Sequence, residues 1–250
     1  MKIGIPRGLY YYHYKDLWLS FFKRLGIDVV ISEKTTKDTI KKGMQYSNDE
    51  MCISLKAYLG HVVSLQGKCD YVLLPRIENY GLNNQTCTNY LSTYDIITNL
   101  LEIPALHYNI SLTKNKTEEK EFLKWSSILK KSKKEIKEAY HLACLDAMKI
   151  RKALEEKNRQ KLESKKIKIL IVSHPYNIFD SYFGKNIIRV LEENNIEMIY
   201  SEYFNTTKTN LNSNQLSQGN YFKYSKEEIG SILECKDKID GILFLTAFPC

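Results

Sequence analysis

The chain has 250 residues, 43% of them hydrophobic, and 37 Lys and Arg against 29 Asp and Glu give it a formal net charge of +8. That is enough apolar matter for one large or two small buried cores. No run approaches the ~18 apolar residues of a membrane span, and the first residues (Met1-Lys2-Ile3-Gly4-Ile5-Pro6) enter a strand with no signal peptide, so a cytoplasmic location is expected. Six cysteines scattered at 52, 69, 87, 144, 235 and 250 exclude the dense disulfide framework of a small secreted domain and favour reduced thiols or metal ligands.

Lys2 to Pro6 reads as a short apolar strand, followed by Arg7-Gly8 and an aromatic-rich helix from about Leu9 to Leu25, closed by Gly26. Tyr10, Tyr11, Tyr12 and Tyr14 suit the covering of a sheet; stacking on bases or a cofactor ring is their other use. Asp28 to Ser32 is the next strand, Thr35 to Gly43 a short helix, and Asn48 to Gln66 a longer helix with Cys52 in its first turn. A thiol there meets free amide groups and the positive end of the helix dipole, both of which favour the thiolate. Cys69 to Leu74 is a buried strand ending at Pro75-Arg76. A polar loop, Glu78 to Thr86, delivers Cys87 just before a helix from Asn89 to Leu101, and Pro104 to Tyr108 is the last strand of this half.

From Thr113 to Lys168 the pattern is helical and lysine-rich, with an apolar stripe through Phe122, Trp125, Ile128, Leu129, Ile136, Tyr140, Leu142, Leu145 and Met148. Residues 114–168 hold 18 basic and 9 acidic side chains, so the positive charge of the chain is local to this segment. Interleaved acids and the lack of a nucleic-acid motif make a solvated helix face the expected role, with nucleic acid or an acidic partner as the alternatives.

Ile167 to Ser173 then parallels the opening strand. His174 to Asp180 replaces the Pro-Arg-Gly turn, Ser181 to Asn194 is a helix, and Ile196 to Glu202 parallels the second strand. Phe204 to Tyr221, rich in Asn, Thr, Ser and Gln, reads as an exposed excursion; Ser225 to Lys236 is a helix and Asp240 to Ala247 a strand. Strands alternating with helices predict parallel sheets covered on both faces, with ligands at the carboxyl ends of the strands. The expected organisation is α/β: two Rossmann-like parallel-sheet domains, residues 1–112 and 167–250, joined by a lysine-rich helical bridge over 113–166. The second domain looks incomplete, so a fragment or a natural truncation of a longer protein is expected.

Cys52, Cys87 and Cys250 share a setting in polar loops at helix starts or just past strands, whereas Cys69, Cys144 and Cys235 read as ordinary half-buried thiols. Lys2 to Leu9, Asn48 to Lys56, Leu74-Pro75-Arg76 with Cys87, His174-Pro175-Tyr176-Asn177 with Asp180, and Leu245 to Cys250 together resemble the proteins related to acyl-CoA dehydratase activases. That family is similar to the cluster-bearing subunits of 2-hydroxyacyl-CoA dehydratases and to double-cubane cluster proteins. The resemblance implies an iron-sulfur cluster, of the 4Fe-4S type, held by Cys52, Cys87 and Cys250 with one position left open. Glu50, Arg76 and His174 would surround it or bind substrate; Asp49 and Lys56 read as an ordinary cap and salt bridge. It further implies a low-potential electron-transfer or dehydratase component acting on a small substrate, with a CoA thioester as one option, in a homo- or heterodimer. The sequence has no Gly-rich phosphate loop, so electrons would come from a separate ATP-dependent activase. The competing expectation is a scaffold of the same fold that holds zinc or no metal.

Overall fold

A computed structural model describes residues 1–248 and 250. The chain runs β1 (Lys2–Ile5), α1 (Tyr11–Arg24), β2 (Asp28–Ile31), α2 (Lys37–Met44), α3 (Ile53–Val63), β3 (Tyr71–Asn79), α4 (Thr88–Leu100) and β4 (Ala105–Ser111). These four strands form a parallel sheet in the order β2-β1-β3-β4. After it come α5 (Glu118–Leu123), α6 (Ser126–Leu129) and α7 (Lys133–Leu162). The last part holds β5 (Lys168–Ser173), α8 (Pro175–Ile178), α9 (Lys185–Glu193), β6 (Glu197–Tyr200), α10 (Thr206–Leu216), α11 (Lys223–Cys235) and β7 (Gly241–Leu245). Its sheet is also parallel, in the order β6-β5-β7. Two parallel sheets with crossover helices make this an α/β protein of Rossmann-like type.

The two sheets open on the same device. Asp70, just before β3, accepts from the Lys2 amide at 2.7 Å and its own amide donates to the Lys2 carbonyl at 2.9 Å. Asp240, just before β7, does the same with Lys168, at 2.7 and 2.8 Å. Each aspartate therefore sets the register between the first strand of its sheet and a neighbour. The main core lies around the first sheet, where Phe21 and Phe22 of α1 meet Phe122 and Trp125. Two smaller clusters cover the two faces of the second sheet.

Three expectations are corrected here. β3 runs on through Pro75 and Arg76 to Asn79, so Arg76 lies within a strand. Pairing of β1 with β3 ends at Val72, and a proline that lacks an amide hydrogen is tolerated where one edge has lost its partner. On α7, Ile136, Ala139 and Ala143 are buried, whereas Leu142, Leu145 and Met148 are exposed. The small alanines let α7 approach α1 closely, which turns the bulkier residues onto the flank. The third concerns Phe204 to Tyr221, most of which is helix: α10 packs on α11 with Thr209 and Ser213 buried, and Asn205 caps it by accepting from the amides of Thr207 and Lys208.

Candidate functional site

Cys52 and Cys87 hold equivalent positions. Each is the last extended residue before a helix, Cys52 ahead of α3 and Cys87 ahead of α4, and neither thiol caps its helix. The helix expected to begin at Asn48 therefore begins at Ile53. The residues before it form a turn, in which the Asn48 side chain accepts from the Met51 amide at 3.0 Å and Lys56 donates to the Asp49 carbonyl at 3.1 Å. A polar, turn-forming sequence competes with helix there.

Cys250 follows β7, with its amide bonded to the Ala247 carbonyl at 2.7 Å. The folding of the two sheets against each other brings it to the other two thiols. Cys52, Cys87 and Cys250 line one cavity of about 360 Å³, with Glu50, Asn89 and Tyr176 also in its wall. A smaller cavity of about 210 Å³ shares Cys87, Tyr176 and Cys250 and adds His174, Tyr90 and Tyr224. Arg76 lines neither cavity and pairs with Asp95 at 3.1 Å.

The thiols are tuned differently. A hydrogen bond with His174 pulls the Cys250 thiol below the ordinary cysteine range, although burial opposes it. Burial pushes Cys87 up, the amides of Tyr90 and Asn89 pull it down, and the neighbouring Cys250 and Cys52 push it up again. Asn89 Nδ2 donates to Cys52 Sγ at 3.3 Å. Ionised sulfurs gathered in one chamber repel one another, and a cationic group placed among them relieves that repulsion. Among the described residues no three His, Cys, Asp or Glu side chains converge closely enough to hold a single ion. The cysteines thus share a chamber without meeting at one point.

His174 stands immediately before α8, with Nδ1 3.0 Å from Glu228 Oε1, close enough for an ion pair but too bent for a linear hydrogen bond. Burial alone would lower its pKa, but Glu228 and Cys250 outweigh that and raise it to about 10, so the ring is charged at neutral pH. Glu228 on α11 carries no local sequence signal of this role. Tyr176 and Asn89 lie inside or beside recognisable stretches, but their place in the cavity depends on contacts made far along the chain.

Three ties hold the two halves together around the cavity. Ser54 donates to Asn177 Oδ1 at 2.7 Å, two residues from Cys52. The loop before Cys87 is gripped by α11 and the residues leading into it: the Gln85 amide donates to the Tyr221 carbonyl at 2.8 Å, and Lys226 of α11 donates to the Asn83 carbonyl at 2.9 Å. Asp180, only 2% exposed, accepts from the hydroxyls of Tyr12, at 2.9 Å, and Thr35, and from the amides of Tyr182 and Phe183. Thr35 also contacts His61 Nε2 at 2.9 Å, while Ser32 meets the other ring nitrogen at 2.9 Å.

No helix among the described residues is long and apolar enough to cross a membrane. No curated protein matches the chain. A family model described as the CoA enzyme activase uncharacterised domain (DUF2229) matches residues 2–204, a stretch that contains Cys52, Cys87 and His174 and stops short of Cys250.

Proposed function

The chain belongs to the family of the CoA enzyme activase uncharacterised domain, and on that premise we propose that it is an iron-sulfur protein of the 2-hydroxyacyl-CoA dehydratase-like type. It takes low-potential electrons from an ATP-dependent activase and supports reduction or dehydration of a small substrate, with a CoA thioester the first to try. The observation that carries the reading is the chamber itself: three thiols from three separated stretches line one cavity of about 360 Å³ without converging on an ion-sized point. A tetrahedral zinc site draws its sulfurs to about 2.3 Å from one centre, whereas a polymetallic cluster is wider and takes thiolate ligands.

On this reading Cys52, Cys87 and Cys250 would hold a cluster, 4Fe-4S in the family's manner of three thiolates and one open position, which would supply one-electron reducing chemistry and a Lewis-acidic site. The chain's own residues do the rest. Asn89 donates to the Cys52 sulfur and charged His174 to that of Cys250, and such bonds raise the potential of a thiolate-bound group by stabilising its electron-rich state. Tyr176 forms part of the chamber wall.

The test is iron, acid-labile sulfide and zinc content on protein purified without oxygen, beside a Cys52→Ser, Cys87→Ser double variant. Near-stoichiometric iron and sulfide, lost in the double variant, is the expected result. Absence of iron after anaerobic reconstitution overturns the reading, and colourless protein with stoichiometric zinc assigns the scaffold role instead.

A further inference from the structure

The smaller of the two cavities has no part in holding a cluster, and its walls are of a different chemistry. Its volume is about 210 Å³, and Tyr90, Tyr176, Phe222 and Tyr224 give it an aromatic lining. Tyr90 lies 6.0 Å from Tyr176 and 5.8 Å from Tyr224 between ring centroids, tilted 46° and 44° to them, so the three rings adjoin. Phe222, set just before α11 and 36% exposed, stands toward the surface. An apolar cavity of roughly 150 Å³ already takes up a benzene ring. This one therefore has room for a ring and one small substituent.

Two polar groups decide what that substituent is. Tyr90 is 2% exposed and its hydroxyl has no partner within the protein. Phenylalanine would fill the same space without the cost of burying an unpaired hydroxyl, and the cavity that Tyr90 borders is where a ligand can bring the missing acceptor. Among the described residues His174 is the one basic side chain in the wall, and its Nδ1 already stands 3.0 Å from Glu228 Oε1. A carboxylate ligand would have to compete with Glu228 for that ring, so a neutral acceptor fits better. For the body of the ligand, aromatic walls favour an aromatic guest, which gains from tilted and edge-on ring contacts that a saturated ring of the same size does not make.

We propose that this cavity binds a single neutral aromatic ring bearing a carbonyl oxygen, the ring lying against Tyr176, Tyr224 and Phe222 and the oxygen accepting from the Tyr90 hydroxyl. Cys87 and Cys250 line both cavities, so the bound ring is held beside the thiols. On the proposed function the cavity selects an aromatic substrate, and that consequence rests on that reading; binding of the ring does not.

The probe is 4-fluorobenzamide, titrated into the full chain as purified and followed by fluorine magnetic resonance. Iron and sulfide are assayed on the same sample, so that absence of a cluster and absence of ring binding are read separately. Saturable binding is expected in the native chain. Tyr90→Phe, which removes a hydroxyl that makes no bond in the fold, should weaken it about fivefold through loss of one hydrogen bond. Fluorobenzene, which has the ring without the carbonyl, should bind the native chain and Tyr90→Phe alike. Phe222→Ala should weaken both probes, and cyclohexanecarboxamide should displace 4-fluorobenzamide about fivefold less well than benzamide does. Lack of saturable binding overturns the proposal. So does a Tyr90→Phe chain that binds 4-fluorobenzamide as the native chain does, or displacement by cyclohexanecarboxamide equal to that by benzamide.

Discussion

Glu118 and His61 carry opposite pH dependences in one fold. Burial raises Glu118 from its ordinary value to about 7, so its contribution to stability is full below about 4.5, the value of the unfolded chain, and is lost as pH rises through 7. Burial lowers His61 to about 4, with Asp180 opposing, so its contribution is full above about 6.5 and is lost as pH falls through 4. Between these limits the two trends offset each other. Glu118→Gln should therefore unmask a stability that rises with pH, and His61→Gln one that falls, each by at most about 3 kcal/mol across the window. Urea unfolding at a series of pH values checks both; a flat profile in both variants sinks the account.

Elements here are placed by small residues at their crossings. Gly43 on α2 and Gly60 on α3 sit where the helices touch. A methyl group on Gly43 would land on the Lys56 carbonyl, and one on Gly60 would land on the Thr39 carbonyl. Gly43→Ala must force the helices apart and should lower stability by about 3 kcal/mol, the upper end of the usual cost of overpacking. The same substitution at Gly26, where nothing lies within 4 Å, acts through its positive φ alone and should cost about 1 kcal/mol. Thermal unfolding of the pair separates the two causes. Because Cys52 immediately precedes α3, shifting the α2–α3 crossing should also loosen the thiol held there, and on the proposed iron-sulfur reading anaerobic iron retention reads that directly.

At the scale of the whole molecule the chamber depends on how the two sheets meet. Asp180 accepts four hydrogen bonds, two from hydroxyls of the first half and two from amides of its own turn. Truncating it leaves these donors buried without an acceptor, at roughly 1–3 kcal/mol for each group that water cannot reach. Asp180→Ala should lower stability by about 3 kcal/mol or more and, on the proposed iron-sulfur reading, reduce iron retained per chain. Neutralising exposed Lys137, which pairs with Glu119 at 3.5 Å, should leave both within error, since exposed ion pairs contribute little. Equal iron retention in the two variants would mean that the junction does not hold the site.

Local pattern determined much of this protein. Apolar runs such as KIGI and KILIVS recur between helices, and strands buried on both faces need such runs, so two parallel sheets were legible. The shared setting of Cys52, Cys87 and Cys250 was legible as well, because a helix start or strand end is written within a few residues. What was not legible lacked a local signature. α10 is a helix whose buried positions are Thr209 and Ser213, so hydrophobic periodicity passed over it. The outrun edge that lets β3 continue through Pro75 depends on where β1 stops, and that took Arg76 away from the expected site. The His174–Glu228 pair, the Asp180 hub and the common chamber join residues dozens to nearly two hundred positions apart. Periodicity reports the face a residue presents to its own element; only the packing of two sheets decides which faces meet.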